Sequence, residues 1–142
     1  MSQESRTAQP RSRTRTLPGK YTVGSWQSLT APDPQQLIAE EVIATQRVMV
    51  VRCAYRPGTD IPPHVHRREQ LTIVESGVLE FAINGGTVAV EPGRMISVFP
   101  GVLHGTRVAG DEPVRALNIF YAATASPGGG GAPTLARRSR AI

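Results

Sequence analysis

The chain has 142 residues, 39% of them hydrophobic and 19% charged, which is room for one ordinary domain and excludes a multidomain reading. No stretch approaches the roughly 18 consecutive apolar residues of a membrane-spanning helix, and the single Cys53 excludes an internal disulfide or a cysteine-only metal site. The formal charge of +5 lies in the ends: residues 1–20 carry +4 (Arg6, Arg11, Arg13, Arg15 and Lys20 against Glu4) and residues 123–142 carry +3 (Arg137, Arg138 and Arg140), which leaves the body at −2 and argues against a nucleic-acid-binding face.

Both ends are expected to be disordered. They are poor in hydrophobic residues, and Ser126-Pro127 with the run Gly128 to Gly131 has the composition of a flexible tail. No apolar core follows the N-terminal arginines as in a secretory signal, so a reducing cytoplasm is the expected compartment. The folded domain is then residues 21–122, with 1–20 and 123–142 as basic tails. Tyr21 to Thr30 and Gln36 to Thr45 are expected as edge strands, interrupted by Pro32 and Pro34, with Leu37 to Glu41 alternatively a short helical turn. Val48 to Tyr55 is a β-branched and apolar run that stops at Arg56-Pro57-Gly58, where proline fixes φ and glycine permits a positive one. Leu71 to Val74 and Val78 to Ile83 follow, broken at Ser76-Gly77. Asn84-Gly85-Gly86 is the strongest hairpin signal and leads into Thr87 to Val90. Met95 to Phe99, Leu103 to Val108 and Val114 to Tyr121 complete the series, the first two set off by Glu91-Pro92-Gly93 and Pro100-Gly101. Short strands with a turn roughly every 8 to 12 residues, and no long helical stripe, predict an all-β domain, a small antiparallel barrel or double-sheet jelly roll.

Only three histidines occur, and His64 and His66 stand one residue apart after Pro62-Pro63. In an extended chain, side chains at i and i+2 share a face, so both imidazoles turn toward one point. Gln70 opens the next apolar run, and His104 follows Pro100-Gly101, so three nitrogens and one amide oxygen are candidate ligands for one divalent transition metal. Alternation puts Thr72 and Val74 on the Gln70 face, Thr106 with His104, and Glu69 on the opposite face. Leu71, Ile73, Phe81, Met95, Phe99 and Cys53 read as core. Tyr55 and Tyr121 are candidate catalytic acids or hydrogen-bond donors, and Arg52, on the other face of its strand from Tyr55, is a candidate contact for a substrate anion.

These residues resemble the two motifs of the cupin superfamily. Gly58, five residues, His64-Val65-His66, three residues, Gln70, six residues and Gly77 is similar to the first; Gly93 to Gly101 followed by His104 is similar to the second, and fifteen residues separate Gly77 from Gly93. The resemblance covers residues 36–122 and implies a cupin barrel with His64, His66, Gln70 and His104 around the metal. Gln70 stands where the family more often has glutamate, Phe99 where it has proline, and Val108 where it has asparagine.

Three neutral imidazoles and a neutral amide would leave a divalent ion its full charge and make it a strong Lewis acid. Zinc is the first expectation for that ion; iron, nickel, manganese and cobalt are the alternatives. The three-histidine, one-glutamine pattern looks like that of bacterial aromatic polyketide cyclases of the cupin type. It implies a metal-dependent cyclase or isomerase acting on an enolisable carbonyl compound. Alternatives within the resemblance are a quercetinase-like dioxygenase, a sugar-acid processing cupin and a non-catalytic ligand-binding or sensor cupin. A small-molecule substrate and a homodimer are expected, with neither nucleic acid nor membrane as partner.

Overall fold

A computed structural model of the chain describes residues 15–17, 21–31 and 33–121. Their elements are β1 (Arg15–Leu17), β2 (Tyr21–Val23), β3 (Gln27–Ser28), β4 (Ile38–Ala44), β5 (Val48–Tyr55), β6 (Asp60–His64), β7 (Glu69–Ser76), β8 (Leu79–Ile83), β9 (Gly86–Val90), β10 (Met95–Val98), β11 (His104–Val108) and β12 (Val114–Tyr121). No helix occurs among these residues, so none is long and apolar enough to cross a membrane.

Every strand pairing is antiparallel. A six-stranded sheet runs β10-β7-β12-β5-β4-β3 and a four-stranded sheet β6-β11-β8-β9. Their inner faces meet in one core, the arrangement of a jelly roll. Alternation selects that core: Met49, Val51, Cys53 and Tyr55 of β5, with Val114 and Ala116 of β12, are buried between Arg52, Ala54 and Arg115, which are exposed. The four-stranded sheet contributes Leu79, Phe81, Val90 and Val108. Asn84 and Gly85, with φ of 52° and 75°, form the two-residue loop between β8 and β9, the primed geometry that matches strand twist.

β5 and β12 have the boundaries read from the sequence. Three expectations change. Leu37 to Glu41 is not a helical turn: Ile38 to Ala44 pairs with β5 residue by residue, because Ile38, Val42 and Ala44 alternate onto the core. Arg15–Leu17, inside the stretch expected to be a tail, pairs with β2; the remaining tail residues, 1–14, 18–20 and 123–142, lie outside the described residues, as do 32 and 122. Met95 and Phe99 are 59% and 68% exposed, and Leu71 and Ile73 are half-buried on the outer face of β7, so none of the four is core. β10 is an edge strand whose pairing sets Ile96 against Thr72 and Val98 against Gln70, so alternation turns Met95, Ser97 and Phe99 outward.

Candidate metal centre

His64 and His104 are direct cross-strand partners, the last residue of β6 against the first of β11. Between this pair and the next, Thr106 against Ile61, the register slips, so β6 carries one extra residue opposite Gly105. That bulge holds Pro62-Pro63, which lack the N–H groups a regular ladder needs and are tolerated here because β6 is an edge strand. A Cβ on Gly105 would lie 3.0 Å from the Ile61 carbonyl oxygen and 3.3 Å from Pro63 N, so the close approach of the two backbones depends on glycine. β6 ends at His64, and His66 stands in the connection that follows instead of on the strand. The Gly101 N–H donates to the His66 carbonyl (2.9 Å) and ties that connection to the loop before His104.

The three imidazoles meet at one end of the barrel. Their ring centroids are 4.5 to 5.3 Å apart and their ligand nitrogens lie within 4.8 Å of one another. His104 is buried and stacks over Phe81; His66 meets Phe120 edge-on. Nδ1 of His64 is 2.9 Å from the Pro62 carbonyl and Nδ1 of His104 is 2.9 Å from the Val102 carbonyl. A carbonyl only accepts, so each Nδ1 carries a proton, and in the neutral ring it is Nε2 that presents the lone pair. Burial lowers the His104 pKa; the Val102 carbonyl opposes that shift and nearby His64 adds to it. The net direction favours the neutral ring, the form that binds metal.

Gln70 faces inward at the start of β7, paired with Phe120, the residue against which His66 packs. Its Nε2 donates to Thr72 Oγ1 (3.0 Å), which turns Oε1 the other way. Gln70 Oε1 and His104 Nε2 are the buried side-chain polar atoms without a hydrogen-bond partner among the described residues. Two orphaned buried acceptors fit a cation, since an unpaired buried acceptor otherwise costs about 1 to 3 kcal/mol. His64, His66 and His104 are therefore the residues that suit a divalent transition metal.

The other candidates fall elsewhere. Arg52 is on the outer face, paired with Glu41 and stacked over Trp26 at 4.4 Å, so it is no contact for an anion at the histidines. Tyr121 is 53% exposed because alternation gives the inward position to Phe120. Tyr55 does face inward, but at the far end of β5, paired with Val114; its hydroxyl accepts from Asn118 Nδ2 (3.2 Å), and burial raises its pKa well above 10.0. Tyr55 is thus held within the buried polar interior and Tyr121 on the outer face. Thr72, Val74 and Thr106 are buried, and Glu69 is exposed and accepts from Ser97 Oγ. Sequence reading missed Asn118, although a lone amide in phase with Val114 and Ala116 in an apolar strand signals a buried polar group that needs partners.

Residues 51–120 match the family model described as a cupin domain. Among solved structures, the chain is similar to KdgF from Halomonas sp., with 25% identity and a TM-score of 0.56 over 68% of this chain and 84% of that one. It is similar to a protein with a double-stranded β-helix domain from Klebsiella pneumoniae subsp. pneumoniae, with 28% identity and a TM-score of 0.56 over 68% and 85%. The fold is shared with an RmlC-like cupin from Shewanella frigidimarina, with 20% identity and a TM-score of 0.57 over 65% and 82%. No curated protein matches the chain. The domain match and these neighbours support the cupin superfamily, and the fold is the cupin jelly roll.

Proposed function

We propose that this cupin-fold chain is a metal-dependent cyclase or isomerase acting on an enolisable carbonyl compound, with an aromatic polyketide intermediate as the substrate class. The observation that carries the reading is the donor set: three imidazoles and an amide, none charged, with Gln70 Oε1 and His104 Nε2 buried and unpartnered. A divalent transition metal held there, zinc in the first instance, would polarise a carbonyl and stabilise the enolate formed from it. The chain's own residues bind and orient. Phe81 and Phe120 back two of the imidazoles, and Val65 and Leu103, exposed neighbours of the ligands, give the rim an apolar character suited to a flat carbonyl compound.

A second reading, a sugar-acid processing cupin, is favoured by the likeness to KdgF from Halomonas sp. and by Arg67 and Arg68, which follow His66 and would meet an anion from the same connection. Arg52 lends it no support, since it faces away.

Metal content by mass spectrometry tests the site first. The parent should hold about one equivalent per chain, Glu69→Ala should retain it, and Gln70→Ala and His104→Ala should lose or weaken it. Turnover of a poly-β-keto substrate, an unsaturated uronate, or oxygen then separates cyclase, sugar-acid enzyme and dioxygenase. A folded parent that cannot be loaded with metal would overturn the enzyme reading and leave a binding module.

A further inference from the structure

Behind Gln70 the barrel interior holds a chain of buried polar side chains with a definite direction. Gln70 Nε2 donates to Thr72 Oγ1 (3.0 Å), and the Thr72 hydroxyl donates to Asn118 Oδ1 (2.7 Å). Asn118 Nδ2 donates both its protons, to Tyr55 Oη (3.2 Å) and Cys53 Sγ (3.3 Å). All five residues are buried. Cys53 directs its own proton toward the Val51 carbonyl (3.8 Å) or Glu40 Oε1 (3.9 Å), which leaves its sulfur as an acceptor for Asn118.

Counting protons along this chain couples its two ends. A threonine hydroxyl has one proton, and Thr72 spends it on Asn118, so its oxygen meets residue 70 only as an acceptor. Residue 70 must then present a donor to Thr72, which an amide does with Nε2 and a carboxylate cannot. If the Asn118 amide turned over, Nδ2 would donate to Thr72, the Thr72 proton would point at Gln70, and Gln70 would turn its NH₂ group toward the site, where a donor cannot ligate a cation.

We infer that Asn118, acting through Thr72, is a positioning residue that holds the Gln70 amide with Oε1 toward the histidines and makes the interior selective for glutamine over glutamate at position 70. The inference rests on the metal-centre reading for its consequence and on the buried hydrogen bonds for its geometry.

Cobalt(II) titration, followed by visible absorption and chelator competition, tests the consequence. Thr72→Val, which keeps the shape and removes the hydroxyl, and Asn118→Leu should each weaken cobalt(II) binding about ten- to hundredfold, whereas Thr72→Ser should restore parent affinity. In a Gln70→Ala background Thr72→Val should change the affinity no further. Equal weakening with and without Gln70, or no weakening at all, would overturn the relay. Side-chain amide NMR on the metal-free protein tests the geometry: the Gln70 and Asn118 amide protons should exchange slowly with solvent, and the Gln70 pair should lose protection in Thr72→Val. Fast exchange of the Gln70 amide in the parent would equally overturn it. A parent that takes up no cobalt(II) yet shows protected amides would sink the metal reading and leave the relay standing. Thermal melts of each metal-free variant identify any loss that is merely unfolding.

Discussion

Burial among Cys53, Glu40 and Asn118 holds the Tyr55 phenol well above its ordinary pKa of 10.0, and the consequence for stability has a definite sign. Above pH 10.0 the unfolded chain releases this proton while the folded chain keeps it, so the unfolded state binds fewer protons and stability falls as pH rises. Chemical denaturation from pH 8 to 11 should show that loss, and Tyr55→Phe should flatten it. The same variant removes one of the two acceptors of Asn118 Nδ2 and should cost about 1 to 3 kcal/mol at neutral pH. A pH profile unchanged in Tyr55→Phe would mean that other groups set the alkaline limit. At this scale the histidine cluster was legible, because His64, His66 and His104 are the three histidines of the chain and stand at the motif spacings. Tyr55, Tyr121 and Arg52 were not, since residue type alone does not say which face of a strand a side chain takes.

The element that aims His64 is β6, an edge strand bent by Pro62-Pro63 against β11 at Gly105. A methyl group at position 105 would press on the Ile61 carbonyl at 3.0 Å and Pro63 N at 3.3 Å, and backbone atoms cannot rotate away as a flexible side chain can. Gly105→Ala should therefore push β6 outward, destabilise the protein by about 1 to 3 kcal/mol and weaken metal uptake together with it. Gly86→Ala is the control: its Cβ would find only the Ile83 carbonyl, at 3.9 Å, and should leave metal uptake unchanged. Urea unfolding with metal analysis on the two variants decides the point, and full uptake by Gly105→Ala would show that β6 position does not govern His64. β5 and β12 could be bounded from sequence because both alternate without interruption. β6 could not, because two prolines argue against a strand and only its pairing with β11 reveals the bulge.

For the whole molecule, the outer face of the six-stranded sheet carries an apolar band. Ile43, Val50, Ile119 and Leu71 are successive cross-strand neighbours, and Leu117, Ile73 and Met95 form the adjacent row. The six residues other than Met95 are half-buried and Met95 is exposed. A second copy applied about a two-fold axis would cover this band with the same band, the closed arrangement that most homodimers use. The parent should therefore run as a dimer in light scattering at micromolar concentration, and Met95→Lys and Leu71→Lys should shift it toward monomer with the melting transition kept cooperative. A monomeric parent would remove the homodimer.

Some properties of this protein follow from the order of its residues. Turn residues at short intervals and period-2 alternation are local signals, so the all-β class, most strand boundaries and the Asn84-Gly85 hairpin were determined along the chain. His64 and His66 stand one residue apart along the chain, whereas His104 reaches them through the pairing of β11 with β6. Pairing between distant strands decided the rest. The facing of β10, the outward turn of Arg52 and Tyr121, and the 46-residue separation bridged by the Thr72–Asn118 hydrogen bond depend on which strands become neighbours and in what register. A one-residue change of register exchanges the faces of a strand, and no local signal carries that choice.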